Sequence, residues 1–178
     1  MDLRITKTRA AVKNAFLEIR ASKPLEKITV KELSAAANIN KATFYLHYKD
    51  IYNLSEILER EIIHECLYNG PDPDDIFENV TNFVNSLCEN ITANKDIIEI
   101  LFEGTRSNSF PELFIEEMYK LIEENFPDYE ATTEDKMKMT FLVEGAYHTL
   151  AKFSDFGIDK VLGLLAEMSD GTIASVKK

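Results

Sequence analysis

Cysteine occurs only twice in the 178 residues, tryptophan not at all, proline five times and glycine six. Two cysteines, Cys66 and Cys88, make neither a disulfide scaffold nor a zinc quartet. Both stand inside apolar helical patterns, where buried reduced thiols are expected. Few prolines and no sustained alternation of β-branched residues exclude a sheet-rich chain and predict an all-α fold. No apolar run approaches the ~20 residues that span a bilayer. The N-terminal Met-Asp-Leu-Arg-Ile-Thr-Lys also lacks a signal peptide's apolar core, so the chain is expected in the cytoplasm, away from membranes. No G-x-S-x-G, Walker loop or G-x-G-x-x-G occurs, and neither cysteine has a catalytic setting, so an enzyme and a bound cofactor are not expected.

What is present is ordinary for a globular protein, 45% apolar and 29% charged, and long enough for one substantial core or a small module joined to a larger one. The net charge of −11 is unevenly spread. Residues 1–50 hold ten basic and five acidic side chains, a net of +5, whereas the remainder holds ten basic and 26 acidic, a net of −16. A basic head on an acidic body allows phosphate binding at one end only. Chance clustering on solvated faces gives the same numbers, so a motif has to decide.

Along the chain, Val12, Ala15, Phe16 and Ile19 recur at helical spacing over residues 6–22, ahead of Pro24. Thr29 and Glu32 form a T-x-x-E capping box for a short helix with Val30, Leu33, Ala36 and Ala37 inward. Asn38 tolerates the left-handed conformation of a tight turn, Ile39 can plug that turn, and Asn40 can cap a helix over 41–46. Asp50 then caps a helix to about Tyr68, with Leu54, Ile57, Leu58 and Ile62 inward, before Gly70-Pro71-Asp72-Pro73 breaks the chain. Amphipathic stretches follow at about 74–91, 95–106, 111–125, 133–154 and 158–168. The acidic run Glu112, Glu116, Glu117, Glu123 and Glu124 reads as a solvated face.

The segment TVKELSAAANINKATFYLHYKDIYNL, from Thr29 to Leu54, has the parts of a helix-turn-helix. In that motif one helix braces on the DNA backbone and the second enters the major groove. Phe44 and Ile39 suit a core, while Lys41, Thr43, Tyr45, His47, Tyr48 and Lys49 form a polar, aromatic and basic surface. A generic helical hairpin with a polar outer side would look similar.

The order Ala-Thr-Phe-Tyr-x-His-Tyr-Lys-Asp-x-x-x-Leu, preceded by Ile-Thr-Val-x-x-Leu, resembles the TetR family of bacterial transcriptional regulators over about residues 7–58. The resemblance implies a dimeric all-α regulator, with a three-helix DNA-binding head at 1–50 and an effector-binding and dimerisation body at 51–178. It implies backbone-phosphate contacts for Thr29 and Lys49, recognition-helix contacts for Lys41 and Thr43, groove or phosphate contacts for Tyr45 and His47, and a structural role for Phe44. Two positions depart from the family pattern. Asn38 replaces the usual turn glycine, and Ile51 replaces a lysine that normally meets a phosphate at the next helix N-terminus.

Residues 141–168 resemble the family's last two helices, which form a four-helix bundle with a partner's pair. Phe141, Gly145, Leu150, Phe153, Val161 and Leu165 are the expected homodimer contacts. Apolar side chains wrap more than one face there, and Gly145 lets another backbone approach. The body also holds more large apolar groups than a narrow bundle needs, so Phe83, Leu87, Phe102, Met118, Glu144, Tyr147 and His148 are candidate contacts for a small, largely apolar effector. Glu144 and His148, four residues apart, could instead form a plain polar stripe. A lone Glu61-x-x-His64 falls short of the two such motifs and two further carboxylates of a di-iron bundle, so no metal is expected. The expectation is a ligand-responsive repressor that binds a palindromic operator in double-stranded DNA as a homodimer. The alternative is an all-α carrier or protein-interaction module without DNA binding, and a steep salt dependence of binding separates the two.

Overall fold

In a computed structural model of the chain, residues 3–153 and residues 160, 161, 163, 164, 167 and 168 are described. The fold is all-α, with no strand among the described residues. The helices are α1 (Leu3–Arg20), α2 (Val30–Ala36), α3 (Lys41–His47), α4 (Ile51–Tyr68), α5 (Asp75–Glu78), α6 (Val80–Ala93), α7 (Lys95–Leu101), α8 (Ser109–Asn125) and α9 (Thr133–Phe153). Short 3-10 turns lie at Leu25–Lys27 and Gly104–Arg106. Among the described residues no helix is long and apolar enough to cross a membrane.

The chain divides into two units, Met1–Ile62 with Lys95–Asn108, and Ile63–Asn94 with Ser109–Lys178. The first unit therefore takes in α7, which lies far from the head in sequence. Val12, Phe16, Leu33, Phe44, Leu54 and Leu58 fill its core. Arg20, almost wholly buried at the end of α1, holds the distant segment by donating from Nη2 to the Glu103 carbonyl at 2.8 Å. Gly104 supplies the positive φ, 66°, that turns the chain there.

In the second unit the stretch expected as one helix over 74–91 is two. Asn79 (φ −148°, ψ 72°) leaves the helical region, ends α5, and caps α6 by accepting from the Asn82 N–H at 3.2 Å. Asn90 reaches back from α6 to donate 3.1 Å to the Cys66 carbonyl, one of the carbonyls left open at the end of α4. A side chain at Gly70 would meet that amide, so Asn90 would have to give up its place there. Cys66 is buried, Cys88 half-buried, and both are free thiols. Phe110, Leu113, Phe114, Met118, Leu121 and Ile122 of α8 form much of the core. Glu117 belongs with them and not on a solvated face: it is buried, with Lys120 Nζ 2.6 Å from its carboxylate. On α9, by contrast, no residue is fully buried.

Candidate nucleic-acid interface

Three local hydrogen-bond devices position α3. Thr29 opens α2 by accepting from the Glu32 N–H at 3.2 Å, but the Glu32 carboxylate turns to Lys23 Nζ at 2.6 Å, so the capping box closes on one side only. At the other end the Ile39 N–H donates to Ser34 O at 2.9 Å and the Asn38 N–H to Ala35 O at 3.2 Å. This is the Schellman pattern, and Asn38 sits at its left-handed position with φ 52°. Asn40 then caps α3, its Oδ1 accepting from the Thr43 N–H at 2.7 Å and from the Thr43 hydroxyl at 3.0 Å. Beyond α3, Asp50 Oδ1 accepts from the Asn53 N–H at 2.8 Å while Asn53 Oδ1 accepts from the Lys49 N–H at 3.0 Å. That reciprocal pair fixes the backbone carrying Lys49.

Phe44 anchors α3 from within, fully buried, with the Tyr48 ring 5.4 Å away. Lys41, Tyr45 and Lys49 are exposed on the other side, Thr43 and His47 are half-buried, and Thr29 is exposed at the start of α2. Tyr48, expected on the contact surface, is instead core: it is buried, and that burial pushes its hydroxyl's pKa above the ordinary value. Ala36 is exposed, and Ser34 takes its place on the inner face of α2. Ile51, where the resemblance leads one to look for a phosphate-binding lysine, is buried at the start of α4. Leu46 and Tyr52, which sequence reasoning passed over, are 81% and 54% exposed. The helical period was the available signal, since Leu46 lies opposite Phe44.

The charges in the first unit sort into two groups. Arg9 and Lys13 pair with Glu61, Lys23 with Glu32, and Arg20 with Glu103. Lys27, Lys31, Lys41 and Lys49 are exposed and have no acidic partner among the described residues. Positive charge that no carboxylate offsets is therefore available on and beside α3, as a polyanion requires.

Phe83, Leu87, Phe102 and Met118 are packed core, Phe102 in the first unit and the others in the second. Tyr147 stacks on Phe110 with ring centroids 5.4 Å apart, and desolvation raises its hydroxyl pKa. Glu144 and His148 pair on α9, Oε2 to Nε2 at 3.4 Å, with partly exposed side chains. They also line an open hollow of about 420 Å3 along α9, together with Thr140, Phe141, Gly145, Thr149, Lys152 and Phe153. The Glu61-x-x-His64 pair is engaged elsewhere, Glu61 with Arg9 and Lys13, His64 in a 3.9 Å stack on Tyr68.

Of the expected homodimer contacts, Phe141 is 70% exposed, Phe153 and Gly145 are exposed, and Leu150 is half-buried. Val161 is already covered by its own chain, at 7% exposure, which leaves it little surface for a partner. Leu165 lies outside the described residues.

No family model matches the chain. Over 67 residues, 37% of the chain, it is 37% identical to the uncharacterized HTH-type transcriptional regulator YxbF of Bacillus subtilis (strain 168). That match spans 17% of YxbF's own length. A solved structure, the dihydroxyacetone kinase operon activator DhaS, aligns over 96% of both chains with a TM-score of 0.49 and 15% sequence identity. The chain is thus similar, over about a third of its length, to a transcriptional regulator of the helix-turn-helix type.

Proposed function

We propose that the protein is a DNA-binding transcriptional regulator of the TetR type, a non-enzymatic repressor that binds a palindromic operator as a homodimer and releases it on binding a small, largely apolar effector. The observation that carries this reading is α3 itself. It is a short helix capped at its N-terminus by Asn40, anchored by Phe44, and bordered by exposed Lys41 and Lys49, which have no acidic partner among the described residues. In this reading Thr29 and Lys49 hold phosphates, Lys41 and Thr43 meet bases, and Tyr45 and His47 reach the groove wall or phosphates. The local similarity to YxbF supports the same assignment.

The homodimer is supported by α9. Its 21 residues include none that is fully buried, while Met137, Phe141 and Phe153 stay in solvent. An apolar face left open in this way is what a second copy of the chain would cover. For the effector, α4 is one continuous helix that begins beside α3 and ends in the second unit. A ligand that favours a displaced α4 must weaken DNA binding by the same factor that DNA weakens the ligand.

Selection of bound duplexes from a random pool tests the reading. Enrichment of a palindrome, with affinity falling steeply against log salt, is the expected result. Failure to enrich any sequence, with weak salt-insensitive retention, would favour the carrier or protein-interaction module instead.

A further inference from the structure

The strongest unexplained feature of the first unit is apolar. Leu46 is 81% exposed, the most exposed large apolar side chain among the described residues, and it sits in the last turn of α3. Helical geometry fixes where it points. Phe44, fully buried, lies two residues earlier in the helix, and at about 100° per residue Leu46 is roughly 200° around the helix from it. It therefore occupies the ridge of α3 farthest from the core. Ala42, four residues earlier, and Thr43, three earlier, share that ridge.

At that exposure Leu46 adds little to packing within the chain, and its side chain is open to a contact from outside. The surroundings limit the occupant. Exposed Lys41 and Lys49 flank the ridge, neither has an acidic partner among the described residues, and residues 1–50 carry a net charge of +5. An apolar ridge between unpaired cations complements a surface that is apolar in the middle and anionic at its edges. The major groove of DNA presents this arrangement wherever a thymine C5-methyl lies between the two phosphate backbones.

We propose that Leu46, with Ala42 and the Thr43 methyl beside it, reads thymine methyl groups in the major groove and is a specificity-determining residue of the recognition helix. The assignment rests on the DNA-binding reading above and adds a chemical class of base contact to it. Lysines and tyrosines supply affinity and register, and the apolar ridge favours thymine over cytosine at the positions beneath it.

The test uses the full-length chain and the duplex enriched from the random pool. Each thymine is replaced in turn by deoxyuridine, which pairs identically but lacks the methyl. The parent should lose about fourfold in affinity for each methyl that Leu46 covers, the worth of one buried methyl-sized group. Leu46→Ala removes no buried contact, so the fold is retained. This variant should bind the thymine and uracil duplexes alike at those positions while still discriminating other base changes, and Leu46→Met should restore most of the difference. Uracil tolerated at every position, or a methyl effect that persists undiminished in Leu46→Ala, would overturn the inference and leave the DNA-binding reading standing. A pool from which no duplex is enriched would overturn both.

Discussion

Arg106 closes on Glu59 from the turn that follows α7. Its Nε donates to Oε1 at 3.0 Å, its Nη2 bonds to Oε2, and the Glu59 side chain is completely removed from solvent, with the Ser55 hydroxyl donating 2.7 Å to the same Oε1. A carboxylate so placed depends on its guanidinium. Arg106→Ala should therefore cost about 2–4 kcal/mol, near the low end for a fully buried pair because the arginine itself is partly exposed. The double variant Glu59→Met, Arg106→Met should recover much of that loss. Urea denaturation of the two variants measures both values.

Asn38 holds its left-handed conformation without glycine. Asn38→Gly should leave stability within a few tenths of a kcal/mol, whereas Asn38→Ala should lower it by about 1–2 kcal/mol, since alanine has no local hydrogen bond to offset the steric cost. Thermal unfolding of the pair distinguishes them.

These devices also explain what was legible in the sequence. Thr29, Asn40 and Asp50 cap backbone groups three residues away and Asn38 turns the chain at its own position, so the order α2, turn, α3, α4 follows from local residues alone. The break at Asn79 has no proline or glycine to announce it. The exchange of Tyr48 and Leu46, one buried and the other exposed, runs against their polarity, because the helical period, set by Phe44, outweighs it. Joining residues 95–108 to the first unit depends on Arg20 meeting Glu103, 83 residues away, and on Arg106 meeting Glu59. No local pattern encodes such pairs. Size and apolarity, the marks of a contact for an apolar effector, are shared by packed core residues such as Phe83, Leu87 and Met118, so composition alone does not separate the two.

Burial pushes both thiols, Cys66 and Cys88, up to about 11. The unfolded chain releases those protons once pH passes the ordinary value near 9, while the folded protein retains them. Thus stability should fall as pH rises from about 9 to 11 and be indifferent to these groups near pH 7. In the folded state both should react slowly with iodoacetamide at pH 8, and denaturant should accelerate labelling sharply. Rapid labelling of Cys66 in the native protein would contradict its burial.

Phe141 projects from α9 with most of its ring in solvent. Phe141→Glu should leave the far-UV circular dichroism of the chain unchanged while converting the proposed dimer to monomer in sedimentation velocity, with a thermal midpoint that no longer depends on protein concentration. A variant dimer as tight as the parent would remove α9 from the interface.

If α3 holds DNA through Lys41, Thr43 and Tyr45, binding depends on those three side chains. Fluorescence anisotropy of the enriched duplex, titrated with the parent and with the triple variant Lys41→Ala, Thr43→Ala, Tyr45→Phe at several salt concentrations, reads this dependence. The parent should bind with a steep negative slope in log salt. The triple variant should lose about 2–5 kcal/mol of affinity, most of its sequence preference and about one unit of slope, because one phosphate- or base-directed cation is gone. Equal affinity, preference and slope in parent and variant would mean that α3 does not hold the duplex.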